Sequence, residues 1–302
     1  MNTSEYECLS KTPFPVIIRP IMLKSIDSEP LILVTNDDGI QSPGLWAAVQ
    51  AVLPLGQVLV AAPARQWSGA GRSMPSDVTG QVSPYPLEVN GHHIPAYQVD
   101  GSPAMTVTRA LLELTPRRPA LLVAGINYGE NLGSDVTISG TVGAALQGGV
   151  SGIPSLAVSL QTPQETHTNP SDAVDFATAI HFTHVFAQWM LNTPLPFDLD
   201  VLKVDLPAEA TPHTPWRLTR ASRSPYFVTN RAHLAAAESL RDNPGYQPIP
   251  HPERTEPDSD IYALAVDRVI SITPLSIDLT ARVEHGQVEA LLRGPKAEFS
   301  PR

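Results

Sequence analysis

The sequence predicts an α/β protein built on a mostly parallel sheet with helices on both faces. Two observations carry that expectation. Short apolar runs at 31–34, 57–63, 119–126, 153–159 and 201–207 recur along the chain, most of them flanked by Pro or Gly. They are too short for helices and do not alternate with polar residues, which marks strands buried on both faces of a parallel sheet. Helical stretches separate them, and strand, helix, strand in that order implies right-handed crossovers.

The first run stops on Asn36, Asp37, Asp38 and Gly39. Ligands of open α/β sheets collect outside the carboxyl ends of the strands, where these residues stand. Two neighbouring carboxylates repel each other, and a bound cation offsets that repulsion. Asn and Asp also form turns and cap helices, so the motif alone leaves both readings open. Gly39 permits the sharp exit, and a helix is expected from about Pro43. The second strand, 57–63, leads into a loop, 64–73, with two glycines, two serines and two arginines, a composition suited to anions or to an ordinary surface connection.

Residues 78–99 read as a meander with turns at Ser83-Pro84 and Asn90-Gly91, and His92 and His93 at its polar tip read as solvated. Ser102 followed by Pro103 starts a helix through Met105, Val107 and Leu111. The strand at 119–126 ends on a long loop, after which Ser139-Gly140-Thr141 opens a helix of small residues. Unpaired N–H groups there suit either an anion or a plain cap. No Walker loop occurs, and no Gly-x-Gly-x-x-Gly follows the first strand. An amphipathic helix is expected from Asp172 to about Leu191, with Val174, Ala177, Ile180, Val185 and Trp189 on its apolar side. Beyond 207 the alternating segments 262–266 and 269–275 read as half-exposed antiparallel strands in an appendage.

Composition narrows the function classes. The 302 residues hold 20 Lys+Arg against 30 Asp+Glu, net charge -10, which argues against gripping a nucleic-acid polymer through a basic surface. The single cysteine, Cys8, excludes an internal disulfide framework and a Cys-based zinc cluster, and a reducing cytoplasmic home follows most simply. No apolar run reaches membrane-spanning length. Residues 1–29 lack the features of a secretory signal and read as a disordered extension. The 31 prolines, about twice average usage, fall mainly in connections.

Four strand-end loops, read together, carry a resemblance. Thr-Asn-Asp-Asp-Gly-Ile with Ser-Pro-Gly-Leu (35–45), Ala-Pro then Trp-Ser-Gly-Ala-Gly-Arg-Ser (62–73), Asp-Gly-Ser-Pro-Ala (100–104) and the segment Gly-Ile-Asn-Tyr-Gly-Glu-Asn-Leu-Gly-Ser-Asp-Val-Thr-Ile-Ser-Gly-Thr-Val-Gly-Ala-Ala (125–145) closely resemble the SurE family, the survival-protein E phosphatases. The likeness runs from about residue 31 to about residue 281. It implies a Rossmann-like three-layer core over 30–207, with a C-terminal appendage over 208–302 that exchanges elements in a homodimer or homotetramer. It also implies a metal-dependent 5'-nucleotidase acting on nucleoside monophosphates, with Asp37, Asp38, Ser68 and Asn127 as metal ligands. Asn131, Ser139, Gly140 and Thr141 would line the phosphate pocket, and Asp37, Asp38 and Asn131 would carry the catalysis. Hard oxygen donors suit one Mg²⁺ or Mn²⁺ per subunit. A haloacid-dehalogenase-like aspartyl phosphate is disfavoured, because adjacent aspartates diverge in extended backbone. Other readings are a broad phosphatase acting on 3'-nucleotides or polyphosphate, and a nucleotide-binding regulator without turnover. Trp67 stands where the family often has a basic residue.

Overall fold

A computed structural model of the chain describes residues 29–167, 171, 173–229 and 245–294. The expected extension over 1–29 lies, apart from Glu29, outside the described residues. The core strands are β1 (Leu31–Thr35), β2 (Gln57–Pro63), β6 (Ala96–Val99), β7 (Leu121–Tyr128), β8 (Ser155–Leu160) and β9 (Val201–Leu206). They pair in parallel, and β3 (Val82–Pro84), β10 (Trp216–Leu218) and β13 (Ile270–Leu275) complete a nine-stranded sheet ordered β10-β13-β9-β8-β7-β1-β2-β6-β3. β4 (Leu87–Val89) and β5 (His92–Ile94) form a separate hairpin, on which His92 and His93 lie exposed.

The alternating pleat divides the apolar runs between two layers. Ile32, Val34, Leu121 and Val123 pack on one face, with α1 (Pro43–Val52) and α4 (Ala177–Asn192). Leu31, Leu33, Leu122 and Ala124 pack on the other, with α2 (Pro103–Arg109) and α3 (Gly140–Val150). Ile32, Leu33 and Val34 are wholly buried. Each such side chain stabilises the fold by roughly 1.5–3 kcal/mol. The three-layer α/β architecture expected from the strand pattern is therefore present.

Three local expectations are corrected. Residues 262–265 belong to a helix, α5 (Asp260–Ala265), with Val266 just past its end, because Ser259 caps it by accepting the N–H of Tyr262 at 3.2 Å and Ile261 and Leu264 fall three apart on a buried face. The small alanines at 263 and 265 had imitated a strand's alternation. α4 begins at Ala177, and Asp172 is outside the described residues. Its buried face is Ala179, Phe182, Thr183, Phe186, Ala187 and Met190, a 3.6-residue repeat that leaves Val185 and Trp189 on the outside. Lastly, β10 and β13 extend the core sheet past residue 207, with β13 antiparallel to β9 and buried over Ile270–Thr273. Beyond them β11 (Phe227–Thr229) pairs with β12 (Tyr246–Pro248), and α6 (His285–Arg293) lies wholly exposed. Among the described residues no helix is long and apolar enough to cross a membrane.

Candidate metal centre and active site

Asn36 makes the turn after β1 by bonding both ways to Gly39, donating to its carbonyl at 3.0 Å and accepting its N–H at 3.2 Å. Gly39 has φ of 100°, a conformation that favours glycine. α1 is entered instead through Ser42 and Pro43. Asp37 and Asp38 are thus left uncommitted to capping, and both are buried.

The turns after β2 and β7 close around them. The Trp67 N–H donates to the Asp37 carbonyl at 2.8 Å, which sets Ser68 beside the first turn. The Tyr128 N–H approaches Asp38 Oδ2 at 3.4 Å, which brings up Asn127. The Asn127 amide nitrogen donates to the carbonyls of Tyr128 and Gly129, so Oδ1 is the end available to a cation. Gly71 N–H bonds the Ile138 carbonyl at 2.8 Å, joining the β2 loop to the start of α3.

α3 begins against Asp37. Ser139 is its cap, accepting the Val142 N–H at 3.1 Å, and the Thr141 hydroxyl donates to Asp37 Oδ1. A Cβ on Gly140 would lie 2.6 Å from both Asp37 Cβ and Oδ2, so only glycine allows the carboxylate to sit here. The positive end of the helix therefore faces Asp37. Gln66 donates to Asp38 Oδ1 at 3.1 Å and to the His167 carbonyl at 2.6 Å. Sequence reasoning missed Gln66; its signal was its place two residues before Ser68. Asn131 stands in the loop after β7, half-buried, with Nδ2 bonded to Ser159. Where a basic side chain was expected next to Ser68, the Arg65 guanidinium stacks over the Trp67 ring at 4.6 Å from its centroid. The indole thus carries a cation at the rim.

Burial raises the Asp37 carboxyl to about 6 against the pull of the Thr141 bonds. Asp38 is likewise held well above its ordinary value, first by burial and then by repulsion from Asp37. Among the described residues no Lys, Arg or His forms an ion pair with either. Two buried adjacent carboxylates without a cationic side chain are costly as anions, and a hard divalent ion offsets that cost. With the hydroxyl of Ser68 and the amide oxygen of Asn127, the donor set fits Mg²⁺ or Mn²⁺.

Comparison with known proteins points the same way. A family model described as Survival protein SurE matches residues 32–227. A 5'-nucleotidase SurE of Thermococcus gammatolerans is 39% identical over 264 residues, covering 87% of this chain and 96% of that protein. One from Archaeoglobus fulgidus is 38% identical over 265 residues, covering 87% and 97%. The crystal structure of a SurE protein from Aquifex aeolicus, 28% identical, superposes with a TM-score of 0.62 over 83% of this chain and 95% of that one.

Proposed function

The chain belongs to the SurE family, and from that premise we propose that it is a metal-dependent 5'-nucleotidase hydrolysing nucleoside 5'-monophosphates to nucleoside and phosphate. The observation that carries this reading is the buried Asp37–Asp38 pair, which has no cationic partner among the described residues and is bonded by the N–H groups of Trp67 and Tyr128, the chain neighbours of Ser68 and Asn127 on two other strand ends. One divalent cation, Mg²⁺ or Mn²⁺, held by Asp37, Asp38, Ser68 and Asn127, would supply Lewis-acid polarisation of a phosphoryl oxygen. Asn131 and the start of α3 at Ser139, Gly140 and Thr141 hold the phosphoryl oxygens and stabilise charge developing on them. Thr141 and Gln66 keep the two carboxylates oriented. With both carboxylates assigned to the metal, attack falls to water and not to an aspartyl nucleophile. Leu279, Leu291 and Leu292, which follow β13 and are exposed in the single chain, support assembly as a homodimer or homotetramer through that part of the chain, and the cytoplasm is the proposed location.

Phosphate release from AMP, GMP and CMP, with Mn²⁺ and after EDTA, tests the reading. Metal-dependent release is the expected result. Release from 3'-AMP or polyphosphate at equal efficiency would replace it with a broad phosphatase. No release from any phosphomonoester would replace it with a nucleotide-binding regulator.

A further inference from the structure

Asn131 rests on buried charges that take no part in the metal site. Lys203, Asp205 and Asp260 are without solvent exposure. Lys203 and Asp205, two apart on β9, share a face of the strand. Lys203 Nζ pairs with Asp205 Oδ2 and, at 3.2 Å, with Oδ2 of Asp260, the first residue of α5. Each carboxylate also holds the loop after β7. Asp205 Oδ1 accepts the Asn131 N–H at 2.8 Å, and Asp260 Oδ2 accepts the Gly133 N–H at 3.0 Å. Between them Leu132 is buried with Tyr226, Ile261 and Leu264. The Asn131 side chain is fixed separately: its Nδ2 donates to Ser159 Oγ at 2.9 Å, and Ser159 stands opposite Asp205 in the β8–β9 register.

A buried ionic group of this kind is a weak source of stability, because desolvation offsets the attraction between its members. β9 does not need it either, since its main chain is paired with β8 and β13 on its two sides. What the group does supply is position. The Asn131 main chain is held from β9 and its side chain from β8, and the loop is anchored two residues later at the start of α5.

We propose that Ser159, Asp205 and Lys203 are positioning residues that seat Asn131 toward the phosphoryl group, Lys203 acting through Asp205 and tying the seat to Asp260. The proposal rests on the reading of Asn131 as a phosphate contact.

The test uses the full chain with Asp205→Asn, which keeps the shape but loses one acceptor oxygen, and Ser159→Ala. Amide hydrogen exchange, Mn²⁺ calorimetry, and kcat and KM for AMP are measured on each. Asp205→Asn is expected to speed exchange at 129–135 while protection of β1 and β7 and the Mn²⁺ affinity stay unchanged. In both variants kcat is expected to fall on the order of tenfold to a hundredfold, with KM moving less, as for a misplaced transition-state contact. Unchanged exchange at 129–135, or loss of protection across the whole sheet, overturns the seat. Should Asp205→Asn fail to fold, Asp205→Ala, which leaves Lys203 paired with Asp260, takes its place. Wild-type kcat in Ser159→Ala also overturns it. A wild-type chain inactive on AMP, with local exchange still faster in Asp205→Asn, would instead remove the nucleotidase reading and leave the seat standing.

Discussion

Thr141 donates its hydroxyl hydrogen to the carboxylate of Asp37, joining the first turn of α3 to the end of β1. The bond settles which way Asp37 faces: Oδ1 is taken by the Thr141 hydroxyl, and Oδ2 lies over Gly140 at the start of the helix.

Removing that hydroxyl therefore acts on the metal before it acts on the phosphate. Thr141→Val keeps the volume of a wholly buried side chain and deletes the donor. Mn²⁺ affinity by calorimetry is expected to drop about 10- to 100-fold, the usual consequence of losing an outer-shell partner. Thr141→Ser, which retains the donor, is expected to stay near wild type. Equal affinities in the two variants would mean that the hydroxyl does not orient the ligand.

Gly140→Ala brings a methyl to 2.6 Å from Asp37. The neighbour is the carboxylate itself, so relief requires moving either the ligand or the helix start. Because the clash is confined to the strand end, the sheet is expected to survive, with native far-ultraviolet circular dichroism and no Mn²⁺-induced rise in Tm. A wild-type rise in Tm would show that the cradle has slack.

The frame of this site was legible in the sequence for a physical reason. Strands buried on both faces leave uninterrupted apolar runs, so β1, β2, β7, β8 and β9 announce themselves, and the polar residues that end them sit at the ligand-binding edge. What was hidden depended on partners distant in the chain. Thr141 reads as part of a helix-start anion site, and only the fold shows its hydroxyl committed to Asp37, 104 positions away. Gln66 reads as a loop residue until it is found bridging Asp38 and the His167 carbonyl. The buried face of α4 was misread because Trp189 and Val185 are apolar yet lie outside, and apolar character does not by itself mark the inner face.

Asp38→Asn separates function from stability in an informative direction. Losing a charged ligand is expected to reduce Mn²⁺-dependent phosphate release on the order of a hundredfold or more. In metal-free protein the same change removes one of two adjacent buried carboxylates, so the Tm in EDTA is expected to equal or exceed that of wild type. A large fall in that Tm would mean that the charge is needed to hold the fold and not the cation.

The titration of Asp37 gives the site a pH dependence of known sign. A carboxylate whose folded pKa, about 6, lies above its ordinary 3.8 binds its proton more tightly when folded. The metal-free fold is thus helped by this group at low pH and loses that help as pH rises through about 6. Asp38, also raised by burial and by Asp37, acts in the same direction. A cation binds the ionised pair, so below about pH 6 it must displace protons, and its affinity rises as pH increases. Both effects make the gain in Tm from Mn²⁺ larger at about pH 7.5 than at about pH 5. Calorimetry in buffers of different ionisation enthalpy is expected to register proton release on binding near pH 6. Mn²⁺ binding without proton release near pH 6 would mean that Asp37 is already ionised in the metal-free protein, and that burial does not govern it.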